Sequence, residues 1–174
     1  MPYGHNMEPS KMYAFERILV PSDLSKCARK ALGLAISLAV RYDAELFLLF
    51  VDDSRPDSGA WKSHSRMKAE MDNLEDNEQK LLSIYEEVAQ EVSEATGLPP
   101  INRDRLAVRV GAGEPSREIL AAAEDARIDL VVMGTHGRTT IKEFFVGSTT
   151  ERVVEQSTCN VLTVKPDGYP YLRD

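Results

Sequence analysis

The sequence predicts one α/β domain, in which helices cover both faces of a doubly wound, five-stranded parallel sheet. Short apolar runs rich in β-branched residues alternate along the chain with segments of helical periodicity. The second of these runs shows no polar alternation, which is typical of a parallel strand buried on both faces. A length of 174 residues suits a single domain with its own core.

The first two strands and the helix between them form a βαβ unit. Ile18–Pro21 is a short buried strand that ends at a proline. The helix is predicted from Lys26 to about Tyr42, because its apolar residues recur at helical spacing. Ser25 is the natural N-cap of this helix. The second strand is Glu45–Val51.

A turn-rich loop, residues 52–66, leads into a long acidic helix, residues 67–96. Residues 64–95, which include nearly all of this helix, carry nine acidic and three basic residues and therefore most of the net charge of −7. Its apolar stripe, which includes Leu81, Tyr85, Val88 and Ala95, is broken by Glu78. The simpler interpretation is a crossover helix with one face on the sheet. The alternative is a helix that reaches toward a protein partner.

The second half of the chain continues the alternation of strands and helices. Residues 1–15 and 167–174 read as tails, and residues 16–166 as the domain. The predicted elements are a strand Leu106–Val110, a helix from Pro115 to about Asp125, a strand Leu130–Met133, a helix Glu151–Ser157 and a strand Asn160–Val164.

The carboxyl ends of the strands are where a doubly wound sheet binds its ligand. The segments expected at this edge are Pro21–Ser25, Val51–Ser54, Gly111–Glu114 and Gly134–Arg138. The last of them begins a glycine pattern, Gly134-x2-Gly137-x9-Gly147-Ser148-Thr149, that lies between a buried strand and a helix. Backbone N–H groups and a helix start in this arrangement suit a phosphate.

This pattern resembles the ATP-binding signature of the universal stress protein family at every defined position. The resemblance covers about residues 17–165 and implies that ATP is the cofactor, with Mg²⁺ on its phosphates. It also implies that Asp23 lies against the adenine, Val51 presents backbone groups to the adenine edge, and Met133 is an apolar wall. The residues expected to bind the nucleotide are Pro21, Ser22, Asp23, Val51, Met133, Gly134, His136, Gly137, Arg138, Gly147, Ser148 and Thr149. The family further implies a homodimer paired through Val161–Val164, and an unpaired apolar edge strand favours such pairing.

Three of these residues have competing structural interpretations. Ser148 and Glu151 form an S-x-x-E capping box, which would use the hydroxyl of Ser148 on its own helix. Asp23 suits a turn before the Ser25 cap equally well. His136 could be a general base, but no neighbouring acid in the sequence would orient it, so we expect a solvated or phosphate-edge histidine.

Composition and further motifs exclude several classes of protein. A net charge of −7 argues against nucleic acid as a partner. No apolar run is long enough to span a membrane, and the first residues do not read as a signal peptide. Cys27 and Cys159 fit neither a disulfide framework nor a metal site, so a cytoplasmic protein without a protein-ligated metal is expected. There is no Walker A sequence, and Gly111-Ala112-Gly113 lacks the third glycine of a dinucleotide fingerprint.

The function expected from these observations is that of an ATP-binding regulatory module in a stress response. No residue stands out as catalytic. One alternative is a slow ATPase or phosphotransferase that uses the same site, which would need a positioned base and carboxylates near the γ-phosphate. The other is a family member that has lost ATP binding.

Overall fold

The computed structural model describes residues 14–53, 64–136 and 146–167, with the backbone alone for residues 64–74. Nine helices and strands, together with one short 3-10 turn at Arg103–Arg105, make up this part of the chain. They are β1 Arg17–Ser22, α1 Lys26–Tyr42, β2 Glu45–Asp52, α2 His64–Thr96, β3 Leu106–Ala112, α3 Pro115–Asp125, β4 Leu130–Gly134, α4 Ser148–Gln156 and β5 Asn160–Val164.

The five strands form one parallel sheet in the order β3-β2-β1-β4-β5. The chain builds outward from β1 to β3, then returns to the other side of β1 with β4 and β5. The strand order therefore reverses between β1 and β4, and the connections leave these two strands in opposite directions and open a crevice. The predicted fold class is confirmed.

Helices bury both faces of the sheet. On one face, α1 and α2 pack over the first core, which includes Ile18, Leu46, Leu48 and Val132. On the other face, α3 and α4 pack over a smaller core. Alternate residues of the same strands supply the two cores, since successive side chains of a strand point to opposite faces. Both faces of the central strands are thus apolar, as the lack of polar alternation in β2 predicted.

The long helix α2 packs against α1 through its second half. Leu81, Tyr85 and Val88 are buried there, while Glu78 and Ala95 are exposed. The prediction that Glu78 interrupts the apolar face of α2 is therefore confirmed. The prediction that Ala95 lies on the packed face was wrong. Arg29 of α1 also donates hydrogen bonds to two acids of α2, Glu87 at 2.8 Å and Glu91 at 2.6 Å. The crossover interpretation holds for this half of the helix.

Several predicted boundaries differ from the observed ones. Helix α2 begins at His64, three residues before the predicted start, and β3 continues to Ala112. Phe15, assigned to the N-terminal tail, packs edge-to-face on Tyr42 with ring centroids 5.3 Å apart. Most of both predicted tails lies outside the described residues. Within the described ranges, none of the helices combines the length and apolar character that crossing a bilayer requires.

Candidate functional site

A cleft of about 420 Å³ opens at the carboxyl ends of β1, β2 and β4, beside the first turn of α4. It lies where the strand order reverses. Ten of the twelve residues expected to bind a nucleotide line it, namely Pro21, Ser22, Asp23, Val51, Met133, Gly134, His136, Gly147, Ser148 and Thr149. The other two, Gly137 and Arg138, lie outside the described residues. Residues that are far apart in the chain thus meet in one place.

Six further described residues, beyond the twelve expected to bind a nucleotide, line the cleft. They are Ala28, Leu49, Asp53, Pro115, Ile119 and Thr150. Asp53 belongs to the segment Val51–Ser54, which was expected at this edge of the sheet, so its place in the cleft could be predicted from the sequence. Ala28, Leu49, Ile119 and Thr150 sit within elements, and their periodicity in the sequence marks them only as core residues.

The loop after β1 is held by its own side chains. Asp23 Oδ1 accepts a hydrogen bond from the Ser25 N–H at 3.0 Å, and Ser22 Oγ accepts one from the Leu24 N–H at 3.2 Å. Ser25 in turn caps α1 by accepting from the Ala28 N–H at 3.2 Å, as predicted. The turn role foreseen for Asp23 is present, and the same residue lines the cleft. The two roles are therefore compatible.

No side chain from the described ranges caps the first turn of α4. The N-cap is Gly147, and Ser148 is already the first helical residue, so the predicted capping box is wrong. The first intrahelical bond runs from the Glu151 N–H to the Gly147 carbonyl at 3.0 Å. Among the described residues, no acceptor is found for the N–H groups of Ser148, Thr149 and Thr150. Three aligned donors at a helix start create a site for an anion.

Two hydrogen bonds fix this helix start to the end of β4. The Gly147 N–H donates to the Thr135 carbonyl at 2.8 Å. The Thr150 hydroxyl donates to the Gly134 carbonyl at 2.9 Å, and Thr150 is buried. The protein's own hydrogen bonds therefore fix the position of the start of α4.

The start of α3, at the same edge of the sheet, is filled by the protein itself. Glu114 caps this helix by accepting from the Ser116 N–H at 3.3 Å and the Arg117 N–H at 3.0 Å. Arg152 of α4 lies 3.2 Å from the same carboxylate. The Glu114 carboxylate occupies this helix start and would repel an anion such as the pyrophosphate of a dinucleotide. This agrees with the conclusion that Gly111-Ala112-Gly113 is not a dinucleotide fingerprint.

The surroundings of Glu114 lower the pKa of its carboxyl below the usual 4.5. Burial acts to raise this pKa, but hydrogen bonds from Ser116 and Arg117 and the charge of Arg152 together outweigh it. A carboxylate with a lowered pKa stabilises the fold at neutral pH, and this contribution disappears as the pH falls through the lowered pKa.

Replacing Glu114 by glutamine should therefore lower the free energy of unfolding in a pH-dependent way. We expect a loss of about 0.5–1 kcal/mol at pH 7, as for a weakened N-cap, and convergence with the wild type as the pH falls below about 4.5. Urea unfolding at several pH values measures both. The exposed Glu124→Gln on the same helix is the control, and an equal loss at all pH values for Glu114→Gln would contradict the assignment.

Gly134 is needed for packing. A Cβ atom at this position would lie 2.8 Å from Cys27 Sγ and 3.1 Å from the carbonyl carbon of Cys27. The first turn of α1 thus sits directly on the end of β4. This glycine permits the close approach of a helix, whereas the sequence had suggested the close approach of a phosphate.

His136 has an orienting neighbour that sequence reasoning missed. Its Nδ1 lies 2.7 Å from the hydroxyl oxygen of Thr135, the preceding residue, and its side chain lines the cleft. The expectation that nothing orients this histidine was wrong, because only acids had been considered as partners. A hydroxyl next in sequence serves the same purpose.

Comparison with known proteins identifies the family. The model of the universal stress protein family matches residues 14–165, nearly the whole described part of the chain. The chain belongs to the universal stress protein family. A universal stress protein of Methanocaldococcus jannaschii is 32% identical over 165 residues, covering 87% of this chain and 95% of the relative.

Solved structures of universal stress proteins share this fold. The protein UspA from Lactobacillus plantarum superposes with a TM-score of 0.64 at 28% identity, covering 87% of this chain and 98% of that one. A universal stress protein in complex with cAMP has a TM-score of 0.55 at 20% identity, covering 87% and 97%. At that identity the likeness shows the fold alone. The cleft of this universal stress protein must therefore be judged by its own residues.

Proposed function

We propose that this universal stress protein binds ATP in the cleft and acts as a nucleotide-dependent regulatory module. The start of α4 carries the proposal, because three backbone donors that have no acceptor within the described ranges suit a polyphosphate, as does the helix dipole. Gly137 and Arg138, from the same glycine pattern, are proposed to complete the contacts to the phosphates. The neighbouring helix start of α3, which is capped by Glu114, offers no such site.

The same cleft also suits a nucleoside. Its walls include the apolar side chains of Leu49, Val51, Ile119 and Met133. Asp23 and Asp53 add carboxylates at the same edge of the sheet, and a carboxylate repels phosphate while accepting hydrogen bonds from a base or a ribose. The charges thus favour one orientation, with the phosphates at α4 and the base toward β1 and β2.

Mg²⁺ would enter this site on the nucleotide. Among the described residues there is no group of three or more His, Cys, Asp or Glu side chains that could hold a metal ion. Proteins commonly bind Mg²⁺ through substrate phosphates, water and one or two carboxylates, so the donor set at the cleft fits a metal carried by ATP. The ion would supply charge neutralisation of the phosphates.

We also propose that the protein forms a homodimer through β5. This strand lies at the edge of the sheet and pairs only with β4 among the described strands. Leu162 on β5 and Val154 on the adjacent helix α4 are exposed large apolar residues, at 36% and 52%. An exposed apolar edge strand favours pairing with a second copy. The molar mass in solution, measured by light scattering, tests this.

The nucleotide content of freshly purified protein tests the proposed function. The protein is denatured, any released nucleotide is identified by chromatography, and the stripped protein is titrated with ATP, ADP and AMP. We expect ATP in the extract and ATP binding by the stripped protein. The double variant Gly137→Val with Gly147→Val should lose both, because its side chains block the approach to the N–H donors.

The other outcomes separate the alternatives. An extract dominated by ADP would favour a slow ATPase. Failure of the folded, stripped protein to bind ATP, ADP or AMP would overturn the proposal, and the fold would then belong to a family member without a nucleotide. A protein partner at the acidic helix α2 stays a prediction.

A further inference from the structure

Thr135 stands at the junction of the cleft with the edge strand β5. It is only 4% exposed and directly follows β4. Its carbonyl accepts from Gly147 at the start of α4, and its N–H donates to the Val164 carbonyl at the end of β5 at 2.9 Å. These bonds fix the backbone of Thr135, and its hydroxyl oxygen lies 2.7 Å from Nδ1 of His136.

In the described part of the chain, the hydrogen atom of this hydroxyl has two possible acceptors. One is His136 Nδ1 at 2.7 Å and the other is the Val164 carbonyl at 3.4 Å. The longer distance is poor for a hydroxyl donor, whose usual distance is about 2.7–2.8 Å. The Val164 carbonyl also accepts from the Thr135 N–H and from Cys27 Sγ at 3.2 Å, so both of its acceptor sites are already used. The hydroxyl therefore donates to Nδ1.

We propose that Thr135 is a positioning residue that holds neutral His136 in the tautomer with its hydrogen on Nε2. In a neutral imidazole one nitrogen accepts and the other carries the hydrogen. Since Nδ1 accepts from Thr135, the hydrogen is on Nε2. The ring then presents N–H, a donor suited to an anion, to the cleft that it lines. The use of this donor for a phosphate rests on the proposed function.

This tautomer determines what His136 can do chemically. A general base needs a nitrogen lone pair directed at the proton that it removes. In this arrangement one lone pair accepts from Thr135 and the other nitrogen is already protonated. His136 therefore contributes to binding and does not act as a base. The site can then bind a nucleotide, but His136 does not assist its hydrolysis.

The tautomer can be measured directly in the protein without nucleotide. Long-range proton–nitrogen correlation spectra at about pH 8.5, where imidazoles are neutral, distinguish the two tautomers by their nitrogen shifts. The chain has three histidines, so His136→Asn assigns the signals by removing one set. We expect the Nε2–H pattern for His136. The Nδ1–H pattern, or an averaged one, would overturn the inference.

Variants then test whether Thr135 is the cause. Thr135→Val keeps the branched shape and the backbone bonds but removes the donor, so the tautomers should mix and ATP affinity should fall roughly fivefold. Thr135→Ser should keep the wild-type pattern. If the valine variant does not fold, Thr135→Ala removes the same donor. Thr150→Val is the matched control, because Thr150 is equally buried and donates to the Gly134 carbonyl, so its loss should leave the tautomer unchanged.

The results distinguish this inference from the proposed function. An unchanged Nε2–H pattern in a folded variant without the Thr135 hydroxyl would show that Thr135 does not set the tautomer, and would overturn the inference. If the wild type binds no nucleotide but shows the tautomer changes, the proposed function fails and the positioning role stands.

Discussion

Replacing Ser148 by proline should lower the affinity for ATP by roughly tenfold or more while the domain stays folded. A hydrogen bond to a charged group is worth about 1.5–3 kcal/mol, and proline removes the Ser148 N–H from the proposed phosphate site. Proline is favoured at the first position of a helix, where the N–H has no intrahelical partner. The preceding Gly147 has φ −60° and ψ 143°, a conformation that suits a residue before proline.

Ser148→Ala is the matched control, because it removes the hydroxyl and keeps the backbone donor. We expect this variant to retain ATP affinity within about threefold, the loss of one weak neutral contact. Titration calorimetry measures both affinities, and urea unfolding checks that both variants are as stable as the wild type. Equal ATP affinity for the proline and alanine variants would show that this N–H does not contact the phosphates.

Replacing Gly134 by alanine should lower the free energy of unfolding by about 1–3 kcal/mol, the usual cost of overpacking a well-packed site. The new methyl group would lie 2.8 Å from Cys27 Sγ, and also close to the backbone of α1, which cannot rotate away. Chemical unfolding without nucleotide measures this loss separately from any effect on binding. Unchanged stability would show that α1 does not pack on β4 as described.

Two further variants isolate the contact. Gly33→Ala is the matched control, because a Cβ at Gly33 in the middle of α1 would make only ordinary contacts, at 3.5 Å from Val88. That variant should stabilise the protein by about 0.5–1 kcal/mol, since glycine is unfavourable within a helix. Adding Cys27→Ala to Gly134→Ala should restore part of the lost stability, as expected for two residues in direct contact.

Most of the fold was predictable because its signals are local. The Ser25 cap and the spacing of alanines and leucines predicted α1 from Lys26 to about Tyr42, as observed. The run without polar alternation identified β2 as a strand buried on both faces. The edge segments then followed from the geometry of parallel sheets, and ten predicted site residues meet in the cleft for this reason.

The features of the site that could not be predicted from the sequence depend on contacts between segments that are distant in the chain. The start of α4 was misplaced because Ser148 and Glu151 match a capping box, whereas Gly147 is held as the N-cap by a bond to Thr135. The constraint on Gly134 comes from Cys27, more than a hundred residues away in the chain. His136 lacked an evident partner because a hydroxyl next to a histidine is common, and only the fold fixes their relative orientation.

The order of strands in the sheet sets the order in which the site can come into existence during synthesis. The first 112 residues encode β1, β2 and β3, which are neighbours in the sheet, so a growing chain can pair them early. The donors at Ser148, Thr149 and Thr150 emerge later, after β4 has become available to pair with β1. A ligand that needs these donors has no site on the nascent half-domain. ATP, if it binds as proposed, can therefore stabilise only the completed domain.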